Sequence, residues 1–184
     1  HWAFNDMTAE RVADSTNVNP ATYHGGVALF LSGPDGDGFQ TDGFPSDVYG
    51  NRSVYLAGGH VDAALEQQPD QYTVSMWFQN MLPVNVRDTT CGLLLTRAET
   101  LEIAGLGEGE QAGRLVLRHG GKVWAGRTVV SERHWQCVTL TKDGKSIRVY
   151  LDGQAEPEIE APVSAIAPLT RLLIGSDGCG ATLD

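Results

Sequence analysis

The turn signals constrain this chain more than any other feature. Gly-Gly at 120–121 and Asp-Gly at 143–144 and 152–153 punctuate short runs of alternating apolar and polar residues. Such dipeptides between alternating runs mark tight hairpins, because glycine and aspartate tolerate the backbone angles a reversal needs. Successive side chains of a strand point to opposite faces, so a period of two, not 3.6, governs most of the sequence. YTVSMWF at 72–78 sets Tyr72, Val74, Met76 and Phe78 on one face, against Thr73, Ser75 and Trp77 on the other. GRLVLRH (113–119) and KVWAGRTVV (122–130) flank the Gly-Gly pair. WQCVTLT (135–141) and SIRVYL (146–151) flank the first Asp-Gly, whose preference for positive φ suits a reversal there. RLLIG at 171–175 reads as a further short strand. Helical periodicity is confined to one acidic turn, VDAALEQQ at 61–68, closed by Pro69. About ten to twelve short strands with turn signals every 8–12 residues predict an all-β, antiparallel two-sheet sandwich, barrel or jelly roll.

Composition narrows the function classes. The chain has 184 residues, the size of one domain, with no internal repeat and no dividing linker, so residues 1–184 are read as a single unit. Lys and Arg total 13 against 23 Asp and Glu, for a net charge of −10. Without a basic cluster the chain does not neutralise phosphates, which argues against nucleic acid, and its charge disfavours anionic membrane surfaces. No apolar run approaches the roughly 18 residues of a membrane span, so no membrane insertion is expected. The first residue is His rather than Met, which reads as a piece of something longer. Cys91, Cys137 and Cys179 are too few for a disulfide scaffold, and none lies in C-x-x-C. They read as buried thiols or one incidental disulfide, with Cys137 buried in mid-strand.

Several segments, in order, resemble the laminin-G-like jelly-roll domains of the concanavalin A-like lectin/glucanase group. HWAF (1–4) with VADSTN (12–17) is similar to the family's first strand and following loop. RSVYLAGGHV (52–61) and YTVSMWF (72–78) are similar to two inner strands, with Leu56 in an aromatic position. Residues 135–153 resemble its Trp-His-His…Asp-Gly hairpin, with Gln136 and Cys137 in place of the His pair, and LLIGS (172–176) its penultimate strand. The resemblance implies a concanavalin A-like β-sandwich and places Trp77 and Trp135 in its core. It also implies a closing strand after Asp184, so the unit is expected to lack it, leaving the first strand exposed or paired elsewhere.

Candidate chemistry is sparse. Glu156, Glu158 and Glu160 are the nearest match to a glucanase strand of alternating carboxylates, but Pro157 interrupts them and they read as a solvated edge or loop. His24, His60, His119 and His134 are scattered, and no G-x-S-x-G is present. GLGEG (105–109) reads as a mobile loop rather than a phosphate cradle. Calcium is the more plausible chemistry, because it takes hard oxygens from turns, with simple Asx turns as the alternative for Asp14 and Asn17. Asp14 and Asn17 form one candidate site, in the loop that the resemblance links to a structural calcium. Asp35, Asp37 and Asp42, in the Gly- and Asp-rich stretch 32–50, form another, but they lack the later bidentate Glu of a calcium loop and read first as a solvated acidic loop. Sugar rings stack on exposed aromatics, with polar side chains fixing their hydroxyls. Phe39, Phe44 and Tyr49 in that stretch, with Trp124 and Arg127 on a strand expected to face the open side, are the candidate ligand-binding residues.

The expectation is a non-catalytic binding module for carbohydrate or protein, with a structural calcium. It would sit beside neighbouring domains of a parent chain, in an extracellular, periplasmic or cell-surface setting. The alternatives are a structural domain docking within its parent and, more weakly, a polysaccharide-active enzyme of the same fold.

Overall fold

The computed structural model describes residues 1–34, 51–81, 91–164 and 167–175. Among them lie thirteen strands: β1 (Ala21–His24), β2 (Val27–Ser32), β3 (Arg52–Leu56), β4 (His60–Ala64), β5 (Tyr72–Gln79), β6 (Cys91–Leu95), β7 (Glu99–Ile103), β8 (Arg114–His119), β9 (Lys122–Val129), β10 (Trp135–Lys142), β11 (Ser146–Leu151), β12 (Ile159–Pro162) and β13 (Arg171–Ile174). They form a seven-stranded sheet, β1-β4-β13-β6-β7-β8-β9, a four-stranded sheet, β12-β11-β10-β5, and the pair β2-β3. The strand pairs are antiparallel, as the hairpin signals require.

The register places one row of side chains inside the seven-stranded sheet: Tyr23, Val61, Ile174, Leu94, Leu101, Leu117 and Trp124. The four-stranded sheet answers with Val138, Leu140, Ile147, Val149, Leu151 and Ile159. Burying each such aliphatic side chain stabilises the fold by about 1.5–3 kcal/mol relative to exposure, before chain entropy is counted. The faces opposite these rows turn outward, and that is where binding chemistry has room.

Local expectations fare unevenly. Gly120 and Gly121 both take positive φ, 56° and 73°, and join β8 to β9 as the Gly-Gly pair predicts. A Cβ on Gly120 would fall 2.0 Å from Ser164 Oγ, so close approach adds to the requirement for glycine. At 143–144 the reversal works differently. Neither residue takes positive φ; instead the Asp143 carboxylate accepts the N–H groups of Lys145 and Ser146, each at 2.7 Å. Positive φ falls on Asp152 and Gly153, at 51° and 67°.

The acidic turn expected at 61–68 is not a helix. Its first half is β4, because Val61 and Ala63 are fully buried on one side while Asp62 turns outward to Arg171, a pairing local propensity does not encode. GLGEG is part of a 3-10 segment, Leu106–Gln111, kinked at Gly109. His1–Phe4 is not a strand; Trp2 makes a single bridge to Asp14, and its indole N–H donates to the Asn19 carbonyl at 2.9 Å. Cys137 is half-buried and faces outward from β10, contrary to the buried position expected of it.

Candidate functional site

The Asp14 loop shows what it is built for. Asp14 is 4% exposed, and its carboxylate accepts the Thr16 hydroxyl at 2.5 Å and the N–H groups of Asn19, Thr16 and Val18 at 2.9–3.2 Å. The N-terminal ammonium adds a bond of 2.7 Å. That ammonium, the Thr16 hydroxyl and the Asn19 N–H hold the carboxyl well below the usual carboxylate range. Asn17 turns the loop in the left-handed region, φ 57°. A calcium ion needs six to eight oxygens with their lone pairs turned toward it. Here both carboxylate oxygens are turned toward N–H and O–H donors, so the residues of this loop, as arranged, do not fit the ion. Among the described residues, no group of three or more His, Cys, Asp or Glu side chains is placed to hold a metal. Asp35, Asp37, Asp42, Phe39, Phe44 and Tyr49 lie outside the described residues.

Trp124 and Arg127 both lie on β9 but serve the sandwich. Trp124 belongs to the inner row, half-buried against the core, with its ring 6.5 Å from that of His119. The open-side placement expected of it is therefore corrected: alternation alone does not say which face of an edge strand turns inward. Arg127 donates from its guanidinium to the Pro157 carbonyl at 3.0 Å and from its backbone N–H to Glu158 at 2.8 Å. Glu158 also accepts the N–H and hydroxyl of Thr128, at 3.0 and 2.7 Å. Burial opposes its ionisation, but these bonds outweigh burial and hold its carboxyl below the ordinary value. The Glu158 carboxylate thus clasps β9 to the start of β12, and Glu160 pairs with Arg148 at 2.9 Å. Ile159–Pro162 is an edge strand, as the prolines around it allow.

The outer face of the four-stranded sheet carries the aromatics. Opposite the buried Phe78, β5 turns out Thr73, Ser75 and Trp77; β10 turns out Trp135, Cys137, Thr139 and Thr141; β11 turns out Arg148 and Tyr150. Register sets Trp77 beside Cys137, and Ser75 beside Thr139 and then Tyr150. The Ser75 and Thr139 hydroxyls meet at 2.9 Å. Trp77 is 48% exposed, which corrects its assignment to the core. The sequence already contained this signal, since Trp77 shares a face with Thr73 and Ser75. At one end of the platform Arg148 ties Asp143 to Glu160, with both bonds at 2.9 Å. The bonds from Ser146, Lys145 and Arg148 hold the Asp143 carboxyl down to about 2.

Between the sheets lies a polar cluster that sequence reasoning missed. Glu99, 2% exposed, accepts from Lys142 at 2.8 Å on one oxygen, and from the Tyr72 and Thr96 hydroxyls at 2.6 Å each on the other. Burial opposes its ionisation, yet the bonds from Lys142, Thr96 and Tyr72 prevail and hold its carboxyl below the ordinary value. Burial, followed by the bond to Glu99, pushes the Tyr72 phenol well up. His119 lies 3.4 Å from Glu99. The Ser164 N–H donates to its Nε2 at 3.0 Å, which leaves the proton on Nδ1 to donate to the Ala98 carbonyl, also at 3.0 Å. The signal was available: Glu99 shares the inward parity of Leu101 and Ile103, and Lys142 continues that of Val138 and Leu140.

The outer face of the seven-stranded sheet is charged. At its β1 end His24 and His60 stack at 5.1 Å, and Arg171 grips both oxygens of Asp62. Toward β9, Arg118 donates to Glu102 at 3.1 Å and to Glu108 of the 3-10 segment at 2.7 Å. At the β8–β9 turn a shallow concavity of about 300 Å³ is lined by Ala98 and residues 118–123.

No family model matches the chain, and no curated protein matches it. Solved structures do. Domain 4 of AbnA, a GH43 extracellular arabinanase from Geobacillus stearothermophilus in complex with arabinotriose, gives a TM-score of 0.56 at 16% identity, over 96% of this chain and 82% of its own. The carbohydrate-binding module CBM66 from Bacillus subtilis gives 0.44 at 11%, over 69% and 80%. A beta-1,3-glucanase from Mycobacterium marinum gives 0.42 at 12%, over 93% and 69%. The likeness to the arabinanase domain establishes the β-sandwich fold; at such identity it carries the fold alone.

Proposed function

We propose that this domain is a non-catalytic carbohydrate-binding module whose ligand lies along the outer face of the four-stranded sheet. The observation that carries the reading is Trp77, 48% exposed and sharing one sheet face with Trp135 and Tyr150. Single exposed apolar residues are ordinary, but three aromatics on one sheet face are a feature. An indole face stacks on the C–H face of a sugar ring. The hydroxyls of Thr73, Ser75, Thr139 and Thr141 both donate and accept, as sugar hydroxyls do. An open sheet face suits a polymer chain better than an enclosed small molecule. The shared fold with an arabinanase domain solved with arabinotriose supports the class and suggests arabinan as a first polysaccharide to try. The laminin-G-like assignment and an extracellular or cell-surface setting belong to the same proposal.

Affinity electrophoresis against soluble arabinan, β-glucan, xylan and levan tests it. At least one polysaccharide should retard the chain, and Trp77→Ala should weaken that retardation at least about tenfold, as loss of a stacking contact requires. Failure of all four to retard the chain, or equal retardation of the variant, would put the face to another use, with docking inside a parent protein first in line.

A further inference from the structure

Strand register fixes how far apart the aromatics of the four-stranded sheet stand. Ser75, Thr139 and Tyr150 form one row across β5, β10 and β11. Trp77 lies two residues along β5 from that row, beside Cys137. Trp135 lies two residues further in the same direction, beside Gln79. Strands run about 4.8 Å apart and each residue advances about 3.4 Å, so the Cα atoms of Trp77 and Tyr150 are about 12 Å apart. By the same geometry Trp135 stands about 8 Å from Trp77, to one side of the line that joins Trp77 to Tyr150.

Stacked rings lie within about 7 Å of each other, so one sugar ring does not reach both Trp77 and Tyr150. With one ring on each, a further unit lies between them. Its place is over β10, where Cys137 and Thr139 are the outward residues. The Ser75 and Thr139 hydroxyls, joined at 2.9 Å, keep lone pairs to accept from that unit. Charge narrows the ligand further. At the Arg148 end of the face, the carboxylates of Asp143 and Glu160 share one guanidinium. The chain as a whole carries −10, so a polymer of acidic sugars is repelled and a neutral one is not. On the reading that this face binds carbohydrate, we infer that it takes a run of at least three units of a neutral polysaccharide, laid obliquely across β5, β10 and β11 from Trp77 to Tyr150. Trp77 anchors one end of the run, and Tyr150 sets its minimum length.

Isothermal titration calorimetry on the full chain tests this with linear arabino-, xylo-, gluco- and fructo-oligosaccharides of two, three and four units, and with polygalacturonate as the charged control. In at least one neutral series, affinity should rise at least about tenfold between two units and three, as a second stacking contact adds. Tyr150→Ala should abolish that step and leave the affinity for two units unchanged. Tyr150→Thr, which keeps strand propensity, is the second variant should Tyr150→Ala fold poorly. Trp135→Ala should preserve the step, and Trp77→Ala should weaken every length. Binding that Trp77→Ala weakens but that shows no step at three units would overturn the oblique three-unit site and leave the binding face intact. A step that survives both Tyr150 variants, or polygalacturonate bound as tightly as the neutral chains, would do the same. Absence of binding by all four neutral series would overturn both readings.

Discussion

Glu99 and Glu102 lie on the same five-residue strand, both nearly inaccessible to water, and face opposite sides of the sheet. Glu99 looks into the sandwich, where Lys142, Tyr72 and Thr96 fill both its oxygens. Glu102 looks outward, where Arg118 fills one oxygen and, among the described residues, no donor meets the other. The two carboxylates differ in what supplies their partners. Those of Glu99 come from both sheets, so its network locks one layer to the other. Among the described residues that of Glu102 comes from Arg118 on the neighbouring strand β8, so its bond stays within one sheet. A satisfied buried network rigidifies a fold, whereas a buried oxygen left without a donor costs free energy.

Three measurements break or sharpen that contrast. The largest effect belongs to Lys142→Met, which leaves Glu99 buried without its cation. Urea unfolding should show a loss of about 3–5 kcal/mol, as expected when one partner of a buried pair is removed. A loss under about 1 kcal/mol would mean that the pair behaves as a surface bridge.

Acid is the next lever. The folded-state carboxyls of Glu99, Asp62 and Glu158 lie below their ordinary values. Groups with lowered folded values stabilise the fold above the unfolded values, 3.8 for Asp and 4.5 for Glu, and lose that contribution as pH falls through the folded ones. The melting temperature should therefore hold steady near neutrality and drop below about pH 4.5. In Lys142→Met the sign for Glu99 reverses, because burial without the cation raises its pKa, and a raised group costs stability as pH rises through it. The gap in stability between the unmutated chain and this variant should narrow on acidification; a constant gap would detach Glu99 from the effect.

The smallest effect is Glu102→Gln. The amide keeps an acceptor for Arg118 and removes a charge that is only half used. Unfolding free energy should move by no more than about 1 kcal/mol, because the Arg118 side chain is 35% exposed and keeps water as well as the amide as acceptors. A loss comparable to that of Lys142→Met would make Glu102 a structural carboxylate like Glu99.

Much of the fold was legible in the chain. Alternation in 72–78 and 135–141 gave the faces of β5 and β10, and Gly120-Gly121 gave a hairpin, because strand parity and glycine conformation are local properties. Less of the candidate site was legible. Trp77 was on the outward face by parity, but resemblance to a family core position pulled it inward. Trp124 had the opposite fate, since nothing local says which side of an edge strand the second sheet will cover. VDAA carries helical residues, and it forms β4 because β1 and β13, distant in sequence, pair with it on both sides.

Taken alone, the sequence determined an all-β chain, its hairpins, its charge and the alternation of its strands. Each of these follows from steric and polar preferences that act within a few residues. The tertiary structure decided which face of each strand is dry, and so which carboxylate is locked and which is left half satisfied. Glu99 and Glu102 are the same residue type on the same strand. Only the arrival of Lys142 from the other sheet makes Glu99 a staple between the layers, while Glu102 is held within its own sheet by Arg118, because a buried charge is defined by the partners that folding brings to it.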